Sequence, residues 1–191
     1  MNKITVGFAM CGSFCTFKEV ISEMIVLKDK GYEIIPIMSF NAYNTDTRFG
    51  KAQEHIKRIE EICDRKIIAT IPDAEPIGPQ KLLDVMLIEP CTGNTAAKLA
   101  NGITDTPVTL AAKAHLRNER PLLIAISTND ALSGSAKNIG KLLNMKNIFF
   151  VPFKQDSPHN KPRSMIAEFS KTEDAIIGAI NNKQIQPIIF G

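Results

Sequence analysis

Two short polar clusters carry the chemistry expected of this chain. Thr92-Gly93-Asn94-Thr95 comes shortly after the apolar run Val85-Met86-Leu87-Ile88. Ser127-Thr128-Asn129-Asp130 follows Leu122-Leu123-Ile124-Ala125-Ile126. The first cluster would also open a helix, where free backbone N–H groups favour an anion. Taken alone, Thr92 or Asn94 reads equally well as a plain N-cap. Two such clusters on successive strand ends point to a ligand site.

Other residues could join them. Gly12-Ser13 could seat a phosphate at a helix start, or Gly12 could serve only a tight turn. The full G-x-G-x-x-G fingerprint is absent around Gly7 and Gly12. Ser39 could bond a phosphate or sugar, and Arg48 could pair with an anion or be merely solvated. Glu89 is an acid/base candidate at a strand end or a structural carboxylate. His55 reads as a surface residue and His115 as packed or interfacial.

The elements that must position these residues are short apolar runs alternating with helical segments. Such a pattern predicts parallel strands of an α/β sheet, whose ligands sit beyond the carboxyl ends of the strands. Strands are expected at 3–9, 33–38, 66–70, 85–88, 122–126 and 148–151, with an edge addition at 188–190. The expected fold is a Rossmann-like or flavodoxin-like three-layer sandwich, with a mostly parallel sheet of about six strands.

Helices are expected over 17–30, 51–65, 96–103, 107–116 and 131–144, by apolar periodicity. Gly31 would close the first of them and Pro107 open the fourth. Ser170-Lys171-Thr172-Glu173 has capping-box spacing before a last helix. Residues 71–79 read as a rigid proline-rich loop. Residues 152–165 have the length and composition of a mobile flap, or of a disordered surface loop.

The 191 residues, 44% of them hydrophobic, suit one compact domain over 1–191. A net charge of +3 without a Lys/Arg block argues against a nucleic-acid partner. No apolar stretch approaches transmembrane length. Met1-Asn2-Lys3 runs directly into a strand without an export signal, and the four cysteines lack zinc spacing. A cytoplasmic protein with free thiols and no metal is expected; a redox pair of Cys11 and Cys15 is the alternative to packing or loop cysteines.

The block Glu89-Pro90-Cys91-Thr92-Gly93-Asn94-Thr95, with Lys98-Leu99-Ala100-Asn101-Gly102-Ile103-Thr104-Asp105, resembles the flavoprotein family that includes the flavin-containing cysteine decarboxylases. Ser127-Thr128-Asn129 stands where that family carries P-x-M-N, and the likeness spans most of residues 3–150. The resemblance implies FMN held by Gly12, Ser13, Ser39, Thr92, Asn94, Thr95, Ser127 and Asn129. It also implies a homo-oligomer. The segments Gly7–Cys15 and Ser39–Ala42 narrow it to an oxidoreductase subunit of the family. Such a subunit works beside a separate NADP-binding subunit on a small dicarboxylate. Lys154, Lys161 and Arg163 could clamp the carboxylates.

Departures from the family pattern are specific. The decarboxylases' His is absent from residues 71–79, and the flap cysteine of the peptidyl- and pantothenoyl-cysteine enzymes is absent from 152–165. The alternatives are a stand-alone flavin decarboxylase and a non-catalytic partner subunit.

Overall fold

A computed structural model describes residues 3–190; Met1 and Asn2 of the expected leaderless start lie outside the described residues. The chain opens with β1 (Thr5–Met10), α1 (Phe17–Asp29) and β2 (Glu33–Met38). Phe17, Val20, Ile21, Met24 and Leu27 form the buried stripe of α1. Gly31 adopts φ 92°, the left-handed conformation that lets the chain leave a helix at little cost. Short α2 (Phe40–Asn44) and amphipathic α3 (Ala52–Cys63) follow, then α4 (Ile71–Ala74).

β3 (Val85–Cys91) leads into α5 (Gly93–Ala100) and α6 (Pro107–Leu116). β4 (Leu122–Thr128), α7 (Ala136–Leu143) and β5 (Ile148–Phe150) continue the alternation. A hairpin of β6 (Phe153–Ser157) and β7 (Lys161–Ala167) precedes α8 (Thr172–Ile180).

Among the described residues seven strands form the sheet, where about six were expected. β2, β1, β3, β4 and β5 are parallel neighbours in that order. The last residues of β4, Ser127 and Thr128, pair instead with antiparallel β7, which pairs with β6. α1, α3 and α8 gather on one face, and α4, α5, α6 and α7 on the other. β3 and β4 run through the middle with every residue but Thr128 buried. The strand order reverses between β1 and β3, and a crevice opens at such a point.

Several sequence expectations are corrected. Residues 66–70 do not form a strand: one parallel bridge, Ile37 to Ile68, is made. The Ile68 N–H donates to the Pro36 carbonyl and the Met38 N–H to the Ile68 carbonyl, both at 2.9 Å. The next rung would need the N–H that Pro36 lacks. Residues 71–79 are not an open loop. Thr70 caps α4 by accepting from the Asp73 N–H, with Pro72 in the first turn, and a 3₁₀ turn at Glu75–Ile77 follows.

The capping box at Ser170–Glu173 does not form. Ser170 Oγ donates to Glu168 at 2.9 Å, and Thr172 Oγ1 turns inward to Glu89 at 2.6 Å. The flap expected at 152–165 is the β6–β7 hairpin, tied into the sheet through β4. The edge strand expected at 188–190 is a single bridge from Ile189 to Phe153.

Candidate functional site

The ends of β1, β3 and β4 bring three polar segments to one crevice. After β1 the chain turns at Gly12-Ser13 into a 3₁₀ turn, Phe14–Thr16, held by Thr16 Oγ1 donating to the Ser13 carbonyl at 2.8 Å. β3 carries an extra residue against β4: Ile88 faces Ile124, but Cys91 faces Ile126. Pro90, which has no N–H for the ladder, sits in this bulge. The Cys11 N–H donates to the Pro90 carbonyl at 3.2 Å and keeps the post-β1 turn over the end of β3.

Thr92 then caps α5, its Oγ1 accepting from the Thr95 N–H at 3.3 Å and donating to Thr95 Oγ1 at 3.1 Å. Thr95 Oγ1 donates onward to Cys11 Sγ at 3.2 Å. Burial pushes the Cys11 thiol up to about 11, so it stays protonated.

The end of β4 is fastened by Asp130. Its Oδ1 accepts from Thr128 Oγ1 at 2.6 Å and Ser135 Oγ at 2.9 Å. These hydroxyls, Thr128 first, hold its carboxyl below the usual range. A Cβ on Gly93 would lie 2.4 Å from Ser135 Oγ and 2.8 Å from Asp130 Oδ1 and Thr128 Oγ1. Only glycine lets α5 start this close to the β4 turn. Asn129 Oδ1 accepts from Ser164 Oγ of the hairpin at 3.3 Å.

Between these segments lies a cleft of about 450 Å³, within the range of about 300–1,000 Å³ usual for small-molecule sites. Gly12, Ser13, Thr92, Ser127, Asn129 and Lys161 line it, so six of the residues singled out in the sequence are brought together. Ser39 does not line it; its side chain caps α2, accepting from the Ala42 N–H at 3.3 Å. Asn94 is exposed on α5, and Thr95 is buried beneath Thr92.

The hairpin lysines divide. Lys161 faces the cleft and pairs with Asp156 at 2.7 Å, which raises its pKa. Lys154 pairs with Glu168 at 2.5 Å and lines a separate groove with Leu132, Ile189 and Phe190. Arg163 is exposed and joins neither the cleft nor that groove. A three-cation clamp on one ligand is therefore not assembled here.

Sequence reasoning missed much of the lining. Phe14, Cys15, Glu19, Phe49, Asp156, Ser164, Met165 and Ile166 all contribute. The apolar ones carry no mark that separates them from core residues. Glu89 does not face the cleft. It is fully buried, Thr172 satisfies its Oε2, and its Oε1 has no partner. Burial pushes its carboxyl up to about 8.

His55 is not the surface residue expected. Its Nε2 is buried without a partner, beneath Gly50 and edge-on to Phe17. His115 is packed, its Nε2–H donating to the Pro121 carbonyl at 3.0 Å. Among the described residues no His, Cys, Asp and Glu cluster could hold a metal ion, and no helix is long and apolar enough to cross a membrane.

Comparison with known proteins extends this picture. A family model described as Flavoprotein matches residues 1–184. The chain belongs to the flavoprotein family. This flavoprotein is 45% identical to the B subunit of dipicolinate synthase from Bacillus subtilis (strain 168). The aligned 184 residues are 96% of this chain and 92% of the relative. The crystal structure of the dipicolinate synthase B subunit from Bacillus halodurans C matches it with a TM-score of 0.90 and 41% identity. That match covers 100% of this chain and 99% of the other. An FMN-dependent cysteine decarboxylase, SpaF, shares the fold at 23% identity and a TM-score of 0.66, over 92% of this chain and 97% of its own.

The cleft of this flavoprotein suits a flavin nucleotide in its donor set. Ser13 and Ser127, which keep one free proton between them, and the Asn129 amide could donate to a phosphate or sugar, while Thr92 and Thr128 spend their protons on Thr95 and Asp130; Phe14, Phe49, Met165 and Ile166 could pack on a flat ring. At Gly12 the backbone is ordinary and an added Cβ would meet only normal contacts, Phe14 at 3.4 Å and Asn41 at 3.6 Å. Neither a strained turn nor protein packing asks for glycine there; its open side is the cleft.

Proposed function

We propose that this chain is the B subunit of a dipicolinate synthase. With an NADP-binding A subunit, it oxidises dihydrodipicolinate to dipicolinate during sporulation, in the cytoplasm of the mother cell. The observation that carries the reading is 45% identity across 96% of the chain to a protein of that name. Aromatising the dihydropyridine ring removes a hydride equivalent and a proton. The turn after β1 lacks the dinucleotide fingerprint, so NADP is assigned to the A subunit.

FMN is the cofactor proposed for this chain. Gly12, Ser13, Thr92, Ser127 and Asn129 would hold it within the cleft. Ser39 and Asn94 stand beside the strand ends that bear these residues, and Thr95 acts from beneath by fixing Thr92. A bound flavin would supply a two-electron carrier between the substrate ring and NADP, with NADP the net oxidant. Phe14, Met165 and Ile166 would exclude water from the ring, and Lys161 would meet a substrate carboxylate. The substrate ring carries two carboxylates, so one lysine orients it and leaves the other end for a second chain.

Self-assembly into a homo-oligomer is proposed through α5 and α6. Leu99, Ile103, Leu116 and Met145 line an apolar groove there, with Ile103 47% exposed. The test of the functional reading is formation of aromatic product from dihydrodipicolinate and NADP, followed by ultraviolet absorbance, by the A subunit with and without this chain. Turnover that needs both chains supports it. An A subunit equally fast on its own overturns it.

A further inference from the structure

We propose that Asp156 is a specificity-determining residue of this cleft: it competes with an anionic ligand for Lys161 and so sets how tightly the cleft takes a carboxylate. The cleft lining holds two carboxylates, Glu19 and Asp156, against one ammonium, Lys161. Lys161 Nζ lies 2.7 Å from Asp156 Oδ2. The ammonium has three N–H donors, so an anion that bonds to it must either share it with the negative charge of Asp156 or draw it away.

The exchange is easy for three reasons. The side chains of Lys161 and Asp156 are 52% and 27% exposed, and ion pairs in contact with water are weak. Both sit on the β6–β7 hairpin within five residues of each other, so the lysine can turn without moving the sheet. Buried Ser164 stands ready as a replacement donor. Its Oγ is 3.3 Å from Asp156 Oδ2 and 3.3 Å from Asn129 Oδ1, and its single proton serves one of them at a time. When Lys161 turns to a ligand, Ser164 can satisfy Asp156, and Asn129 Oδ1 is released to accept from water.

The inference rests on reading this cleft as the substrate site, but its test is binding to this chain alone, so it can fail while the turnover reading stands, and the reverse. The probe is pyridine-2,6-dicarboxylate, titrated calorimetrically into the wild-type chain, Asp156→Asn, Lys161→Ala and the double variant, with uncharged pyridine as control. Asp156→Asn is expected to tighten the dicarboxylate about fivefold, the change that ~1 kcal/mol of released ion pairing gives. Lys161→Ala is expected to weaken it, and Asp156→Asn should give no gain in the Lys161→Ala background. Pyridine should be indifferent to all three changes. Weaker or unchanged binding by Asp156→Asn, a gain that persists without Lys161, or no dicarboxylate binding by any of the four chains overturns the proposal. Thermal midpoints of the four chains, expected to agree closely, guard against misfolding.

Discussion

The hydroxyls of Ser13 and Ser127 lie 2.7 Å apart, although their parent strands β1 and β4 are separated by β3. Strands two places apart in a sheet are about 9–10 Å from each other. The bond is made because the post-β1 turn leans over the end of β3, where the Cys11 N–H meets the Pro90 carbonyl. It ties two polar segments of the cleft together.

Ser127→Ala removes that bond. Ser13 keeps access to water, so the cost is that of one ordinary hydrogen bond, about 1 kcal/mol. A fall of ~2–4 °C in thermal midpoint is expected for a chain of this size. Flavin affinity, measured by fluorescence quenching of added FMN, should fall as well, because Ser127 is a proposed cofactor contact.

Gly93 and Gly140 should respond oppositely to alanine. At Gly93 a Cβ meets Ser135 Oγ at 2.4 Å, and forcing it in is expected to cost about 1–3 kcal/mol. At Gly140, inside α7, nothing lies within 4 Å of an added Cβ. Gly140→Ala should stabilise by about 0.5–1 kcal/mol through better helix propensity. Urea unfolding of both variants checks the pair of signs.

Much of this arrangement is legible in the sequence. The runs Lys3–Ala9, Glu33–Met38, Val85–Ile88 and Leu122–Ile126 are too short for helices and are bounded by turn residues, which places the polar clusters at strand ends. The hairpin over 153–167 is not legible. Pro158, Pro162 and alternating charges hide its period. Its attachment to β4 runs through the backbones of Ser127 and Thr128, which leaves no trace in residue type. Strand expectation at 66–70 fails for a neighbour's reason, the missing N–H of Pro36. Phe14, Phe49, Met165 and Ile166 look like core residues until the fold aims them at the cleft.

Two buried groups give the pH dependence of stability opposite slopes. Glu89 is raised to about 8 by burial. Its folded state holds a proton that the unfolded chain loses near 4.5, so its contribution is full below that value and is lost as pH rises towards 8. His115 is lowered to about 4, by burial first. Its contribution is present above about 6.5, where the unfolded imidazole is neutral, and is lost as pH falls towards 4. Between about pH 6.5 and 8 only the Glu89 slope remains of the two. Thermal midpoints should fall across that window in the wild type, and Glu89→Gln should flatten the fall. An unchanged slope in Glu89→Gln would assign it to another group.

The hairpin cations outside the cleft should be silent in ligand binding. Lys154→Ala and Arg163→Ala are expected to leave the dissociation constant for pyridine-2,6-dicarboxylate unchanged within twofold, because neither residue lines the cleft. Loss of binding in either would mean that the hairpin turns these residues inward with ligand present.

The proposed part of this cleft in dipicolinate formation can be tested directly. Cys15 is exposed and lines the cleft, so Cys15→Trp fills it while leaving the core intact. The decisive measurement is the rate of dipicolinate formation from dihydrodipicolinate and NADP by the A subunit in three mixtures: with wild-type chain, with Cys15→Trp, and with neither. The expected result is turnover with wild type and a folded Cys15→Trp that adds nothing to the rate seen with neither. A Cys15→Trp chain as effective as wild type would contradict the account.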